Sequence, residues 1–186
     1  MSLCRLKAGG KANKTSKPYC LKDTMAINRK TGEADNLTPE NVFPDIFDVL
    51  PQKYPFLFID RILELDRNKS HIKCLKNITA NEYYFQGHFP GNPVVPGVIL
   101  IEAIAQASIL LYASVKPRNV SRKPDYYLGN VEAKFKKPVT AGDSIIIDVQ
   151  ADKIIDGGGI VTAAASVEGV TVAEAVISFG VKLKHD

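Results

Sequence analysis

The sequence predicts an α+β fold in which a curved antiparallel sheet wraps one long helix. Three observations carry this reading. The run Val98 to Val115 is apolar all round except for Glu102, Gln106 and small residues; two β-rich runs precede it and four follow; and plain turns join the last four. A helix apolar on every face is either a membrane span or enclosed by its own protein. A carboxylate near its middle would cost about 2.5 to 3.5 kcal/mol on insertion scales, and Gln106 adds to that. A buried helix of a soluble protein is the better reading, and no membrane insertion is expected.

Taken in order, residues 1–36 are polar, contain Gly9-Gly10 and have no hydrophobic period, so they read as a disordered basic extension ahead of a domain over 37–186. Thr38-Pro39-Glu40-Asn41 has the pattern of an N-cap with proline at the first helical position. Val42, Phe43, Ile46, Phe47 and Leu50 follow at helical spacing, and Pro51 closes the helix. Phe56 to Leu65 and His71 to Thr79 alternate as strands about the turn Asp66-Arg67-Asn68-Lys69-Ser70. Pro117 ends the long helix. Strands are expected over 126–136, 143–155, 159–168 and 170–184, with turns at Ala141-Gly142, Gly157-Gly158-Gly159 and Glu168-Gly169.

Composition narrows the function. With 45% apolar residues in 186, one domain with a sizeable core is expected. Residues 1–36 hold 8 Lys or Arg against 3 Asp or Glu (net +5), while 37–186 hold 16 against 17 (net −1). The basic excess therefore belongs to the tail, which argues against nucleic-acid binding by the folded part. The tail has no apolar core of the kind a secretory signal needs. Its acid-poor start, Arg5 to Lys22 before Asp23, is faintly like an organelle transit peptide but poor in Ser and Arg; Met25 is a candidate alternative start. Cys4, Cys20 and Cys74 are odd in number and lack metal-ligand spacing, so free thiols in a reducing compartment are expected.

The chemistry concentrates between His88 and Glu102. Pro90, Pro93 and Pro96 each fix φ, and Gly87, Gly91 and Gly97 permit unusual backbone or close approach. Taken singly, a histidine in such a loop is more often structural than catalytic. Glu102 tips the balance: a carboxyl carried into apolar surroundings favours its protonated form and becomes a general acid for a histidine base. If Pro96 lies in the first helical turn, the Gly97 amide has no intrahelical partner and is a donor for a developing oxyanion. Gln106, one turn beyond Glu102, either orients that carboxyl or bonds to backbone as a buried amide. Base, acid and oxyanion donor suit removal of a proton α to a carbonyl with loss of a β-substituent, although spacing alone does not single out that reaction.

Leu50-Pro51-Gln52-Lys53-Tyr54-Pro55-Phe56-Leu57-Phe58-Ile59-Asp60-Arg61 followed by Asn81-Glu82-Tyr83-Tyr84-Phe85-Gln86-Gly87-His88-Phe89-Pro90-Gly91 resembles the 3-hydroxyacyl-[acyl-carrier-protein] dehydratases of the FabZ type. Pro96-Gly97-Val98, Glu102-Ala103-Ile104-Ala105-Gln106 and Ala133-Lys134-Phe135-Lys136-Lys137-Pro138-Val139 continue the likeness, which covers roughly 45–184. The resemblance implies a hot-dog fold, and dehydration of (3R)-3-hydroxyacyl chains to trans-2-enoyl chains for fatty acid and lipid A biosynthesis. It implies that His88 takes the α proton, Glu102 protonates the departing hydroxyl and the Gly97 amide polarises the thioester carbonyl. No metal or bound cofactor is implied; the substrate rides on the phosphopantetheine arm of acyl carrier protein. It further implies a homodimer with His88 and Glu102 of each site from different subunits, a trimer of dimers, and a cytoplasmic location, or an organelle stroma or matrix if the tail is a transit peptide.

Gln52-Lys53 stand where such proteins commonly have His-Arg, and Asn92 and Val95 replace a frequent His and Met. Glu102 in place of Asp argues against the related dehydratase that also isomerises the double bond. An acidic carrier calls for a basic rim, for which Lys134, Lys136, Lys137, Arg118, Arg122 and Lys123 are candidates beside a plain solvated surface. Tyr83, Phe85, Tyr126 and Tyr127 are candidate linings of an acyl tunnel. A hot-dog thioesterase and a non-catalytic acyl binder are the competing readings.

Overall fold

The computed structural model describes residues 43–120 and 124–183. The tail, the Thr38 cap, Arg122, Lys123 and His185 lie outside these residues. Helix α1 (Ile46–Val49) begins later than the apolar spacing suggests, because the Asp45 side chain accepts from Phe47 N at 2.7 Å and so caps the helix there. The Lys53 ammonium closes its far end, donating to the carbonyls of Phe47 and Leu50.

Strands β1 (Arg61–Asp66) and β2 (His71–Asn77) form the first hairpin. The first strand was expected from Phe56, yet pairing starts only at Arg61. The reason lies outside the segment: the Phe56 carbonyl and the Phe58 N–H are taken by the Gln106 side chain rather than by a neighbouring strand. Next come a 3₁₀ turn (Tyr83–Gln86), the proline loop and helix α2 (Gly97–Val115). Lys116 leaves helical geometry, as the residue before a proline tends to, and Pro117 opens the single turn α3 (Pro117–Val120).

Strands β3 (Asp125–Phe135), β4 (Ser144–Ile155), β5 (Gly158–Val167) and β6 (Val170–Lys182) then complete one antiparallel sheet in the order β1-β2-β4-β5-β6-β3. Its inward residues alternate as period-2 burial requires: Ile72 and Cys74, Ile145, Ile147 and Val149, Val161, Ala163 and Ala165, Ala173, Ala175 and Ile177 are all buried. Register shifts at Ile62/Glu64, Leu128/Asn130, Ala151/Lys153 and Ala165/Ser166 bend the strands, which lets the sheet curve. The β5–β6 hairpin turns on Glu168 (φ 50°) and Gly169 (φ 78°), the paired positive φ values of a turn whose twist matches its strands.

Helix α2 fills the concave side of this sheet. Twelve of its 19 residues are buried, among them Leu100, Ile104, Leu110 and Leu111. Each such side chain contributes about 1.5 to 3 kcal/mol on leaving water. This helix has the length and hydropathy of a membrane span, but its own sheet covers it. Its two ends are tied down differently: the Tyr112 hydroxyl donates to the Asp156 carbonyl at 2.6 Å, and the proline loop docks the other end.

Candidate active site

The loop that carries His88 is closed on itself and pinned at both sides. His88 N donates to the Tyr84 carbonyl at 2.9 Å, Val94 N to the His88 carbonyl at 3.0 Å, and Val95 N to the Val139 carbonyl at 2.8 Å. Asn92 N and Phe89 N are bonded reciprocally to each other's carbonyls, and Gly91 sits at φ 80°, where a side chain is disfavoured. Gly87 has φ −118° and open space around it, so its lack of a side chain is not required by conformation or packing. Tyr84, beneath the loop, has its phenol pushed well up by burial and then by the nearby Glu82 charge.

His88 itself is half-buried, with Nδ1 at 2.8 Å from the Val94 carbonyl oxygen. A carbonyl only accepts, so Nδ1 carries the proton and Nε2 of the neutral ring holds a free lone pair. The Phe89 ring stacks on the imidazole at 4.0 Å between centroids. The histidine thus satisfies a loop carbonyl and leaves Nε2 able to accept a proton.

Pro96 is the N-cap and Gly97 the first helical residue, with no side-chain cap on the N-terminal amides. The Gly97 N–H takes no partner among the described residues. A Cβ on Gly97 would lie 2.8 Å from Cζ of Phe135, so any side chain there would have to push aside the exposed ring packed over it. His88, Gly97, Val98, Phe135, Lys136 and Lys137 line one cleft of about 580 Å³. Base and amide donor therefore share a space open to a ligand.

Glu102 is not among the residues lining that cleft. It is half-buried rather than enclosed in apolar surroundings, because two amides approach it: Gln106 Nε2 at 2.9 Å and Gln52 Nε2 at 3.1 Å, both to Oε1. Gln106 is fully buried and also bonds backbone, accepting from Phe58 N at 2.8 Å and donating to the Phe56 carbonyl at 2.9 Å. It performs both of the functions the sequence left open. Gln52 was legible only as a departure from a familiar pattern; fifty residues separate it from Glu102, and no local period marks it. Phe135 was likewise missed, since only the sheet register brings the end of β3 to the start of α2.

The candidate docking residues do not form one cluster. Lys136 and Lys137 line the His88 cleft, and Lys136 is paired with Glu174. Lys134 instead lines a depression on the outer sheet face with Glu132, Asp148 and Glu174. Arg118 follows the far end of α2, about 28 Å along the axis from Gly97 for 19 residues. Arg122 and Lys123 lie outside the described residues. Of the tunnel candidates, Tyr83 and Tyr127 are exposed, whereas burial pushes the Tyr126 phenol up to about 12. Among the described residues, no group of three or more His, Cys, Asp or Glu is arranged to hold a metal ion.

A six-stranded antiparallel sheet wrapped on a long buried helix is the hot-dog architecture, and here His88 and the Gly97 amide meet at the start of that helix. The model of the FabA-like domain matches residues 50–176. The chain is 44% identical to a 3-hydroxyacyl-[acyl-carrier-protein] dehydratase FabZ of Burkholderia lata over 138 residues, which is 74% of this chain and 88% of that one. With the same-named protein of Burkholderia thailandensis it shares 45% over 138 residues, 74% and 86% of the two chains. The chain belongs to the FabA-like family and, at this identity, to its FabZ dehydratases. Solved structures agree on the fold: the dehydratase heterocomplex ApeI:P of Xenorhabdus doucetiae superposes with a TM-score of 0.62 at 14% identity, over 78% of this chain and 94% of that one. A Streptococcus mutans protein solved with acetyl CoA gives 0.53 at 17%, over 74% and 98%.

Proposed function

We propose that this chain dehydrates (3R)-3-hydroxyacyl chains borne on acyl carrier protein to trans-2-enoyl chains in fatty acid biosynthesis. The observation that carries the mechanism is the pairing, in one cleft, of His88 with its lone pair on Nε2 and the Gly97 amide at the start of α2. The Gly97 N–H and the helix dipole stabilise the enolate-like oxygen as the α proton leaves. Nε2 of His88 receives that proton, the Cα–H electrons form the double bond, and the hydroxyl leaves as water with a proton from Glu102. His88 then returns its proton to solvent and Glu102 regains one, which closes the cycle.

We infer a homodimer as part of this reading. His88 lines a cleft that Glu102 of the same chain does not, and β3 is an 11-residue sheet edge with Tyr127, Leu128 and Phe135 more than half exposed. Such an edge favours pairing with a second strand. Two-fold pairing would bring Glu102 of one subunit to His88 of the other, and three dimers would make the hexamer. Lys136 and Lys137 at the cleft suit an acidic carrier delivering its phosphopantetheine arm. A reducing compartment, cytoplasm or organelle stroma, suits the buried free thiol of Cys74.

The test follows absorbance of the conjugated enoyl thioester when purified protein meets 3-hydroxyacyl or enoyl carrier protein, with free thiol titrated alongside. Enoyl formation without thiol release is expected. Thiol release without enoyl would make the protein a thioesterase, and neither signal would make it a binder.

A further inference from the structure

Gln52 approaches the carboxyl that the reaction uses as an acid, although it enters from the segment after α1. Its Nε2 and that of Gln106 donate to the same oxygen, Oε1, at 3.1 and 2.9 Å. Among the described residues, Oε2 accepts from none. The two oxygens are therefore inequivalent. A proton on Oε1 would be forced against two N–H groups, so the acid form carries it on Oε2.

The two amides are held by different means. Gln106 cannot turn about, since its Oε1 is occupied by Phe58 N and its Nε2 also serves the Phe56 carbonyl. Gln52 has no comparable tie: its Oε1 is buried and has no hydrogen-bond partner among the described residues, a condition folded chains ordinarily avoid. Among the described residues, only Glu102 holds the Gln52 amide. The backbone around it is fixed, because Lys53 is anchored on α1 and Phe56 N donates to the Lys53 carbonyl at 2.7 Å.

We propose that Gln52 is a positioning residue which, with Gln106, locks Glu102 so that Oε2 delivers the proton to the departing hydroxyl. The proposal rests on the dehydratase reading. The step it serves breaks the Cβ–O bond with the electron pair going to oxygen, and Oε2–H supplies the proton that completes water.

Gln52→Met keeps length and loses the donor, whereas Gln52→His keeps an N–H at similar reach. With a 3-hydroxyacyl carrier substrate, Gln52→Met is expected to lower kcat about tenfold with KM within about twofold, and Gln52→His to stay within about threefold of the wild type. The decisive comparison uses a 3-chloroacyl thioester, from which His88 still removes the α proton but chloride departs without one. There Gln52→Met should match the wild type after subtraction of uncatalysed elimination. An equal deficit with both leaving groups, or an unchanged kcat with the hydroxyl substrate, overturns the proposal. If Gln52→Met does not fold, as judged by its melting curve, Gln52→Ser is read in the same way. A wild-type protein that forms no enoyl product sinks the dehydratase reading itself; a wild type that does, with a leaving-group-independent variant, sinks only the role of Gln52.

Discussion

His88 Nδ1 lies 2.8 Å from the carbonyl oxygen of Val94, six residues along the same loop. That single bond fixes the tautomer, and with it the nitrogen that acts as base. His88→Asn tests the division of labour, since its side-chain N–H can still serve Val94 while no base remains. Turnover should fall about 10²- to 10⁴-fold, with melting temperature little changed. Glu102→Gln should fall comparably. Retained activity in either variant, measured by enoyl absorbance, removes that residue from the mechanism.

Gly97 and Phe135 are coupled by space. A Cβ at Gly97 would stand 2.8 Å from Phe135 Cζ, and the ring is 54% exposed, so it can swing aside. Gly97→Ala should therefore cost little stability, under about 1 kcal/mol, yet displace the ring into the cleft and raise KM. Adding Phe135→Ala should recover most of the loss. A double mutant no better than Gly97→Ala would locate the damage in the Gly97 backbone rather than in the ring.

Lys137 lines the cleft, whereas Lys134 lines a depression on the outer sheet surface together with Glu132, Asp148 and Glu174. Lys137→Glu is expected to raise KM several-fold for a carrier-borne substrate and to flatten its salt dependence, and Lys134→Glu to do neither. A short pantetheine thioester, lacking the acidic carrier, should be indifferent to both. Equal effects of the two substitutions on the carrier substrate would refute a docking edge at the cleft.

Cys74 is buried under the sheet, and burial pushes its thiol up to about 12 from an ordinary 9.0. The folded chain keeps the proton where the unfolded chain loses it. The resulting stability is fully present below about pH 9 and is lost as pH rises toward about 12, with a slope of up to about 1.4 kcal/mol per unit. Urea midpoints measured across that window should fall, and Cys74→Ala should reduce the slope. In the native protein at pH 8, peptide mapping should find Cys74 unalkylated by iodoacetamide.

The element order was legible because the signals are local. All-round apolarity over 98–115, broken by Glu102, Gln106 and small residues, favours an enclosed helix over a membrane span, and Gly169 marks the hairpin turn where positive φ is needed. Where the reading slipped, a distant group had intervened. Phe56 to Asp60 alternates like a strand but gives its backbone bonds at Phe56 and Phe58 to Gln106, about fifty residues further along the chain.

The site divides along the same line. His88, Gly97, Glu102 and Gln106 stood out in the sequence because each is a polar or conformationally special residue placed within one stiff loop and helix. Tertiary structure alone decided which nitrogen of His88 is free, that Phe135 roofs Gly97, that Lys136 and Lys137 line the cleft while Lys134 does not, and that Gln52 meets Glu102. Those relationships are set by sheet register and by side chains fifty residues apart, and no local period encodes them.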